Sequence, residues 1–520
     1  MWRHKIIFIE MIINNDLSKE CINKMNMLSI RFNKFMNISL KVLLSIVLIT
    51  SIIMCFATFV GFNIAGTMVI SLVLCISVYI ENKIVNSQID YKKKIIYILL
   101  ISAVLRVLWL LNTDNIPNSD FSAMYYSAGE FVNGNSEVLK GASYGGRFPH
   151  IIMNIIYMAL MKSVFPQYDL VAMKIAYLIL GIVVLGLIYL ISKEIFKDKK
   201  FSIYTLCLGS IFPPLITYTA VFCSENIAMP FYLVSVLLFI KNINTSKTKA
   251  LIYILSSTFL GIGNLFRMIA DVILIAYVLY ICIYSKENVF NKIKNILCLV
   301  IPYLLVLVLT SSFLQKINIT DHPLWKGSEP KITSVLKGTN INTLGMWNAE
   351  DAAVAEENIG DYEKIDKECK KIIYERLTTT SPIRLAVFYV QKLGSQWCIG
   401  DFSGALWTQK DMPDDKMIFK IGAFGSMPFQ LIYVVVLIFM FIGLRKKNIN
   451  DEPVISLLNL ILLGYIGAYL ITENQCRYGY IVCWIFIFLG IDGFKRYLDM
   501  KSQSKIVINH KETLGGSDYE

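Results

Sequence analysis

The feature that most constrains this chain is a recurrence of apolar runs separated by short, lysine-rich connectors. The runs lie at 40–59, 62–80, 95–111, 171–192, 201–219, 226–241, 250–266, 268–284, 295–313, 427–444, 454–471 and 478–494. Several approach the roughly 20 residues that cross a bilayer as a helix, and several are shorter. Backbone amides in hydrocarbon must be satisfied within their own segment, so such runs fold as helices. With 55% hydrophobic residues, the chain exceeds the roughly 45–50% typical of soluble domains, and its mean hydropathy is +0.56. A soluble globular protein is excluded. The expected class is an all-α polytopic membrane protein with about 12 transmembrane helices.

The formal net charge of +12 does not point to nucleic acid. Lysines and arginines sit between apolar runs, the distribution expected when basic loops face the cytoplasm. One alternate set of connectors holds Lys83 with Lys92 to Lys94, Lys193 to Lys200, Lys241 to Lys249, Lys286 to Lys294, Arg445 to Lys447, and the tail from Lys495. These are placed inside, with both termini. The apolar segment His150 to Phe165 must then not cross, and reads as a helix lying on the outer surface between Pro149 and Pro166. The 11 cysteines are scattered through apolar runs and read as small buried hydrophobes.

The expected organisation follows. Residues 1–38 form a cytoplasmic arm lying on the lipid surface, and 39–94 an N-terminal transmembrane hairpin. Residues 95–313 form a transmembrane core that carries a long outer loop, 112–170. Residues 314–426 form an extracytoplasmic subdomain, with a helical run over 352–377 and an amphipathic return helix from Arg384 to Trp397. Helices at 427–494 and a cytoplasmic tail at 495–520 complete the chain.

The outer face collects charge from several turns, and charge at membrane depth is expensive and usually functional. The loop 112–170 carries Asp114, Asp120, Glu130, Arg147 and His150. Ser224-Glu225-Asn226 caps the second outer turn. Asn264 to Arg267 joins two short runs, with Asp271 beyond, and Glu473 to Arg477-Tyr478 caps the last turn. No phosphate loop of Walker type and no HExxH is present, and four histidines, two in the terminal arms, support no Ser/His/Asp triad. Carboxylate plus arginine beside lipid suits transfer of a sugar from a polyprenyl-phosphate carrier. A carboxylate takes the proton of the attacking hydroxyl. The phosphate departs without a proton donor when arginine forks stabilise it. This minimum needs no cofactor, and a divalent metal is left open.

Simpler readings stand beside these. Asp114 and Asp120 can cap turns, Arg267 can pair with Asp271, and Arg477 with Glu473, each four residues apart. Trp325, Trp347 and Trp397 read as interface anchors or sugar-stacking platforms.

The order of these motifs resembles the GT-C superfamily of membrane glycosyltransferases, in the branch of protein O-mannosyltransferases and aminoarabinose transferases. The resemblance rests on Ser119-Asp120-Phe121 with Tyr125 to Glu130, and on Arg147-Phe148-Pro149-His150 before a surface helix. It continues through Ser224-Glu225, Gly261 to Arg267 as a basic residue in a Gly-rich turn, and Glu473 to Tyr478. It implies Asp120 as catalytic base and Arg267 and Arg477 as contacts to the donor phosphate. Glu130, Arg147, His150, Glu225, Glu473 and Tyr478 are substrate-binding candidates. The implied donor is a polyprenyl-phosphate sugar, and the acceptor a hydroxyl on an extracytoplasmic glycan, lipid or protein, attacked with inversion. A lipid-linked saccharide flippase or transporter, or a saccharide polymerase, is the alternative. A transporter would show repeated halves, and no repeat is visible.

The topology is testable by single-cysteine labelling in intact cells. Lys199→Cys is expected to be protected from an impermeant thiol reagent, and labelling from outside would overturn the orientation.

Overall fold

Apolar runs become helices here, and capping side chains and prolines set their ends. The computed structural model describes residues 2–59, 63–113, 116–245, 248–409, 425–445 and 453–515, with side chains described between 27 and 502. Asp114 lies outside the described residues. The first helices are α1 (Trp2–Ala57), α2 (Ile64–Asn86) and α3 (Tyr91–Leu110). The loop after α3 contains α4 (Ser119–Val132), the short α5 (Tyr144–Arg147) and α6 (Ile152–Val164). Then come α7 (Asp169–Phe196), α8 (Lys199–Ile211), α9 (Pro213–Thr217), α10 (Glu225–Ile243), α11 (Ala250–Phe266), α12 (Asp271–Tyr284) and α13 (Val289–Lys316). The segment after α13 holds α14 (Ile332–Gly338), α15 (Ala349–Glu356), α16 (Tyr362–Thr379), α17 (Pro382–Trp397) and α18 (Gly404–Gln409). The chain ends with α19 (Met427–Arg445), α20 (Pro453–Ile471) and α21 (Cys483–Gly515). No strand occurs among the described residues, so the all-α expectation holds.

Among the described residues, 7 helices are long and apolar enough to cross a membrane, or up to 8 if one bent pair is a single span. The protein is a multi-pass membrane protein. The expected figure of about 12 counted shorter and more charged helices as spans. Helices α11 and α12 are short, α3 carries Lys92 to Lys94 and Arg106, and α21 carries Asp492, Lys495 and Arg496.

Three expectations are corrected locally. The boundary at residue 38 falls inside one continuous helix, α1, because no breaker separates the arm from the first span. The run 201–219 is not straight: it bends by 57° between α8 and the Pro213–Ala220 segment. Pro213 and Pro214 lack the amides that would continue α8, and Phe212 is extended. The run 352–377 is split into α15 and α16, with Gly360 at φ +97 between them.

Four of the lysine-rich connectors, those at 83–94, 193–200, 241–249 and 286–294, meet at one end, in line with their shared charge. Tyr91 donates to the carbonyl of Lys199 (2.5 Å), Asn244 to that of Glu194 (3.1 Å), and Thr248 to the Glu287 carboxylate (2.5 Å). Asp90, Asp198 and Asn288 cap the helices that leave this end.

The core runs through α7, α10, α12, α20 and α21. Helix α11 packs on both α10 and α13, and glycine makes this close approach work. A Cβ at Gly263 would meet the Tyr232 ring at 2.6 Å, and one at Gly261 would meet Val306 at 3.0 Å. The Gly261 to Arg267 stretch is therefore not a Gly-rich turn. Its glycines lie inside α11, and only its end turns. Gly263→Ala is expected to lower stability by about 1–3 kcal/mol through overpacking. Gly186→Ala in α7, where a Cβ meets nothing within 4 Å, is expected to leave it unchanged or raise it by about 0.5–1 kcal/mol. Thermal unfolding of both variants in detergent checks this contrast.

Candidate active site

Four chain segments converge on two arginine–carboxylate pairs. Asp120 lies in the first turn of α4, where a helix N-terminus favours an anion. Ser119 before it sits at φ +50, a left-handed conformation costly for a non-glycine residue. The chain is held there from outside: Asn118 donates to the Trp407 carbonyl (3.1 Å), and Phe121 is buried against the Trp407 ring. Arg477 lies in a 3-10 segment, Cys476–Val482, between α20 and α21. Its Nη2 donates to the Asp120 carboxylate. The guanidinium is only 12% exposed, while the Asp120 side chain is 40% exposed. Trp407, Phe121 and Tyr478 surround the cation, with centroids at 4.8, 5.3 and 5.6 Å. Its Nη1 is buried and has no hydrogen-bond partner among the described residues.

The second pair is Arg267 with Glu225, Nε to Oε1 at 3.3 Å. Glu225 opens α10, and Asn226 secures that start. Its amide donates to the carbonyls of Tyr218 and Val221, both at 2.9 Å, and its oxygen accepts from Tyr480 (2.8 Å). Arg267 ends α11, where Asn264 accepts from the Ala270 amide (3.1 Å) and Tyr232 donates to the Arg267 carbonyl. The Arg267 guanidinium lies 4.9 Å from the Tyr478 ring, so Tyr478 contacts both arginines. Burial, with the nearby Glu473 carboxylate, pushes its phenol up to about 12.

His150 faces the same site. Burial, with the cations Arg267 and Lys331, pushes its imidazole down to about 3 against the pull of Asp120. The ring is thus neutral, able to donate from one nitrogen and accept at the other. Tyr144 is also within the influence of Asp120 and Arg477, and burial raises its phenol.

The local pairings weighed from the sequence are not those observed. Asp271 accepts from Tyr303 (2.5 Å) rather than pairing with Arg267. Glu473 accepts from Gln475 (2.5 Å) and lies 3.9 Å from Lys337, rather than pairing with Arg477. In each case the i,i+4 partner is replaced by one brought from a distant turn. Arg147 is held by Glu329, with Nε at 3.0 and Nη2 at 2.8 Å, and so ties the first loop to the segment after α13. Glu130 accepts from Asn135 (3.0 Å) near the far end of α4, roughly 15 Å along the helix from Asp120. Trp397 is neither anchor nor platform: it is 1% exposed and packs on Phe402 and Phe486. Trp325 and Trp347 are exposed. Trp407, Tyr144 and Lys331 were not singled out by sequence reasoning. Trp407 directly follows the Gly400 to Gly404 turn, which is its one sequence signal.

Asp120 and Glu225 are each taken by an arginine. Among the described residues no group of three His, Cys, Asp or Glu could hold a metal.

Residues 150–314 match the family model described as dolichyl-phosphate-mannose-protein mannosyltransferase. That stretch is less than half of the chain. It contains His150, Glu225 and Arg267 but neither Asp120 nor Arg477, and it agrees with the GT-C resemblance read from the sequence. No curated protein sequence matches significantly. The fold is similar to the archaeal oligosaccharyltransferase AglB from Archaeoglobus fulgidus in complex with an inhibitory peptide and a dolichol-phosphate. That match has 14% identity and a TM-score of 0.44, covering 81% of this chain and 52% of that one. The apo form of the Archaeoglobus fulgidus oligosaccharyltransferase gives 14% identity and a TM-score of 0.43, covering 80% and 52%. This chain spans about half the length of those solved chains.

The neutral His150 gives a pH prediction. The unfolded chain takes up a proton near 6.5, while the folded chain refuses it until about 3. Its contribution to stability is therefore full above 6.5 and falls as pH drops toward 3. The unfolding midpoint of His150→Gln is expected to fall less than wild type between pH 7 and pH 4. Equal slopes would contradict the assignment.

Proposed function

We propose that the protein transfers a sugar from a polyprenyl-phosphate donor to an acceptor hydroxyl at the extracytoplasmic face of a membrane. The observation that carries this reading is the divided fork of Arg477. Nη2 holds Asp120, and Nη1 is buried without a hydrogen-bond partner among the described residues. A buried donor left unsatisfied costs about 1–3 kcal/mol, more when charged. An arriving phosphate oxygen removes that cost.

One guanidinium then aligns base and leaving group. The donor phosphate sits on Arg477 Nη1 with Arg267 beside it, both held against the ring of Tyr478. The acceptor enters from the open side, where Asp120 is exposed. Its oxygen attacks the anomeric carbon opposite the phosphate, which inverts that centre, and Asp120 takes the hydroxyl proton. The bond to the phosphate oxygen breaks, and the arginines stabilise the charge that develops there. Neutral His150 is a contact for a sugar hydroxyl, since it can both donate and accept. The description of the family matched over 150–314 names a dolichyl-phosphate sugar, a donor of the same class.

Asp120→Asn is expected to lower turnover about 100–10,000-fold, the usual loss of a general base, with donor binding retained. Arg267→Ala and Arg477→Ala are expected to weaken donor use about 10–150-fold, with lysine restoring only part because the fork is lost. Glu130→Gln is expected to resemble wild type. Purified variants assayed with labelled polyprenyl-phosphate sugars check this. Near-normal turnover by Asp120→Asn would remove the base from the mechanism.

A further inference from the structure

The turn that presents Arg477 is gripped from one side by a single helix face. On α17, Lys392 and Gln396 are four residues apart and so share a face. Lys392 is fully buried, and its ammonium donates to three carbonyls: Gly338 at 2.6 Å, Leu470 at 2.8 Å and Thr472 at 2.7 Å. The last two lie at the end of α20, where carbonyls lack helical partners and a cation is favoured. Gln396, 2% exposed, makes a reciprocal pair with Gln475. Its Nε2 donates to the Gln475 carbonyl (2.6 Å), and its Oε1 accepts from the Gln475 amide (3.1 Å). Asn474 between them donates to Ser395 (2.6 Å) and to the Leu344 carbonyl (2.9 Å). Fixed hydrogen bonds thus run along the chain up to Gln475, two residues before Arg477. The Arg477 side chain itself has only Asp120 as its hydrogen-bonded partner among the described residues. The other face of α17 exposes Ile383, Val387 and Val390, with Arg384 and Gln391 also exposed, while its buried polar side chains Lys392 and Gln396 both face the turn.

We propose that Lys392 and Gln396 are positioning residues that set the place of the Arg477 guanidinium against Asp120 and the donor phosphate. The proposal rests on the transfer reading above. A side chain that merely stabilised the fold would act alike whatever stands at 477. A positioning residue acts through Arg477 and loses its effect when Arg477 is gone.

The test uses purified full-length protein with Gln396→Leu, which is near in size and removes both bonds. Lys392→Met serves as a second variant. Hydrogen exchange of the 472–478 peptide and steady-state transfer are measured in wild-type and Arg477→Ala backgrounds. Gln396→Leu is expected to speed exchange at Gln475. It is also expected to lower kcat about tenfold in the wild-type background, with donor KM less affected, and to change kcat less than about twofold in Arg477→Ala. An equal fall in both backgrounds would overturn positioning and leave a structural role. Unchanged exchange and unchanged kcat would overturn it outright. If wild type transfers no sugar from any polyprenyl-phosphate donor, the transfer reading has failed. The exchange measurement then decides the grip alone, with faster exchange supporting it and unchanged exchange overturning it. If Gln396→Leu does not fold, Lys392→Met is read by the same criteria.

Discussion

Charge removed from water must be paired, and this requirement organises the structure. Two nearly buried guanidiniums, Arg477 and Arg267, each find a carboxylate from a different part of the chain. Those contacts fix the start of α4, the start of α10, the end of α11 and the turn before α21 relative to one another. Removing the carboxylate partner leaves a largely buried guanidinium uncompensated, at a cost that solvent screening reduces on the exposed Asp120 side. The two partners of the Asp120–Arg477 pair differ in exposure. Asp120 is the more exposed partner, and one buried nitrogen of Arg477 has no hydrogen-bond partner among the described residues. An anion can therefore join without first breaking the pair.

The segment after α13 supports this site. Arg147 binds Glu329, the Ser328 amide donates to the Gly146 carbonyl (3.0 Å), and Gly327 lies so close to Arg147 that a Cβ would meet its carbonyl at 2.1 Å. Buried Asp351 accepts from Arg376, Asn340 and Asn348, which binds α15 and α16 together. Through α17 the same segment holds the Arg477 turn, and through Trp407 it supplies a wall of the site.

Much of this was legible in the sequence, because its signals are local. Apolar runs gave the helices, and the lysines of the connectors gave their grouping at one end. The placement of charge at turns singled out Asp120, Glu225, Arg267, Arg477 and Tyr478, which the structure brings together. The pairing was not legible. Sequence offers i,i+4 partners first, so Asp271 and Glu473 stood nearest, while the true partners lie 42 and 357 residues away for Arg267 and Arg477. The bend at Pro213 was written in the sequence but masked by continuous hydrophobicity. Lys392 and Gln396 carry no local signal, since their roles exist only once α17 and α20 meet, and Trp407 is marked only by the Gly400 to Gly404 turn shortly before it.

The central claim is that Arg477 joins the base to the donor phosphate. A structure of the protein bound to a polyprenyl phosphate in a lipid nanodisc tests it most directly. The account predicts a phosphate oxygen within hydrogen-bond distance of Arg477 Nη1, with Arg267 beside it and Asp120 still open to the acceptor side. A phosphate held elsewhere, with the Arg477 nitrogen still unpartnered, would contradict it.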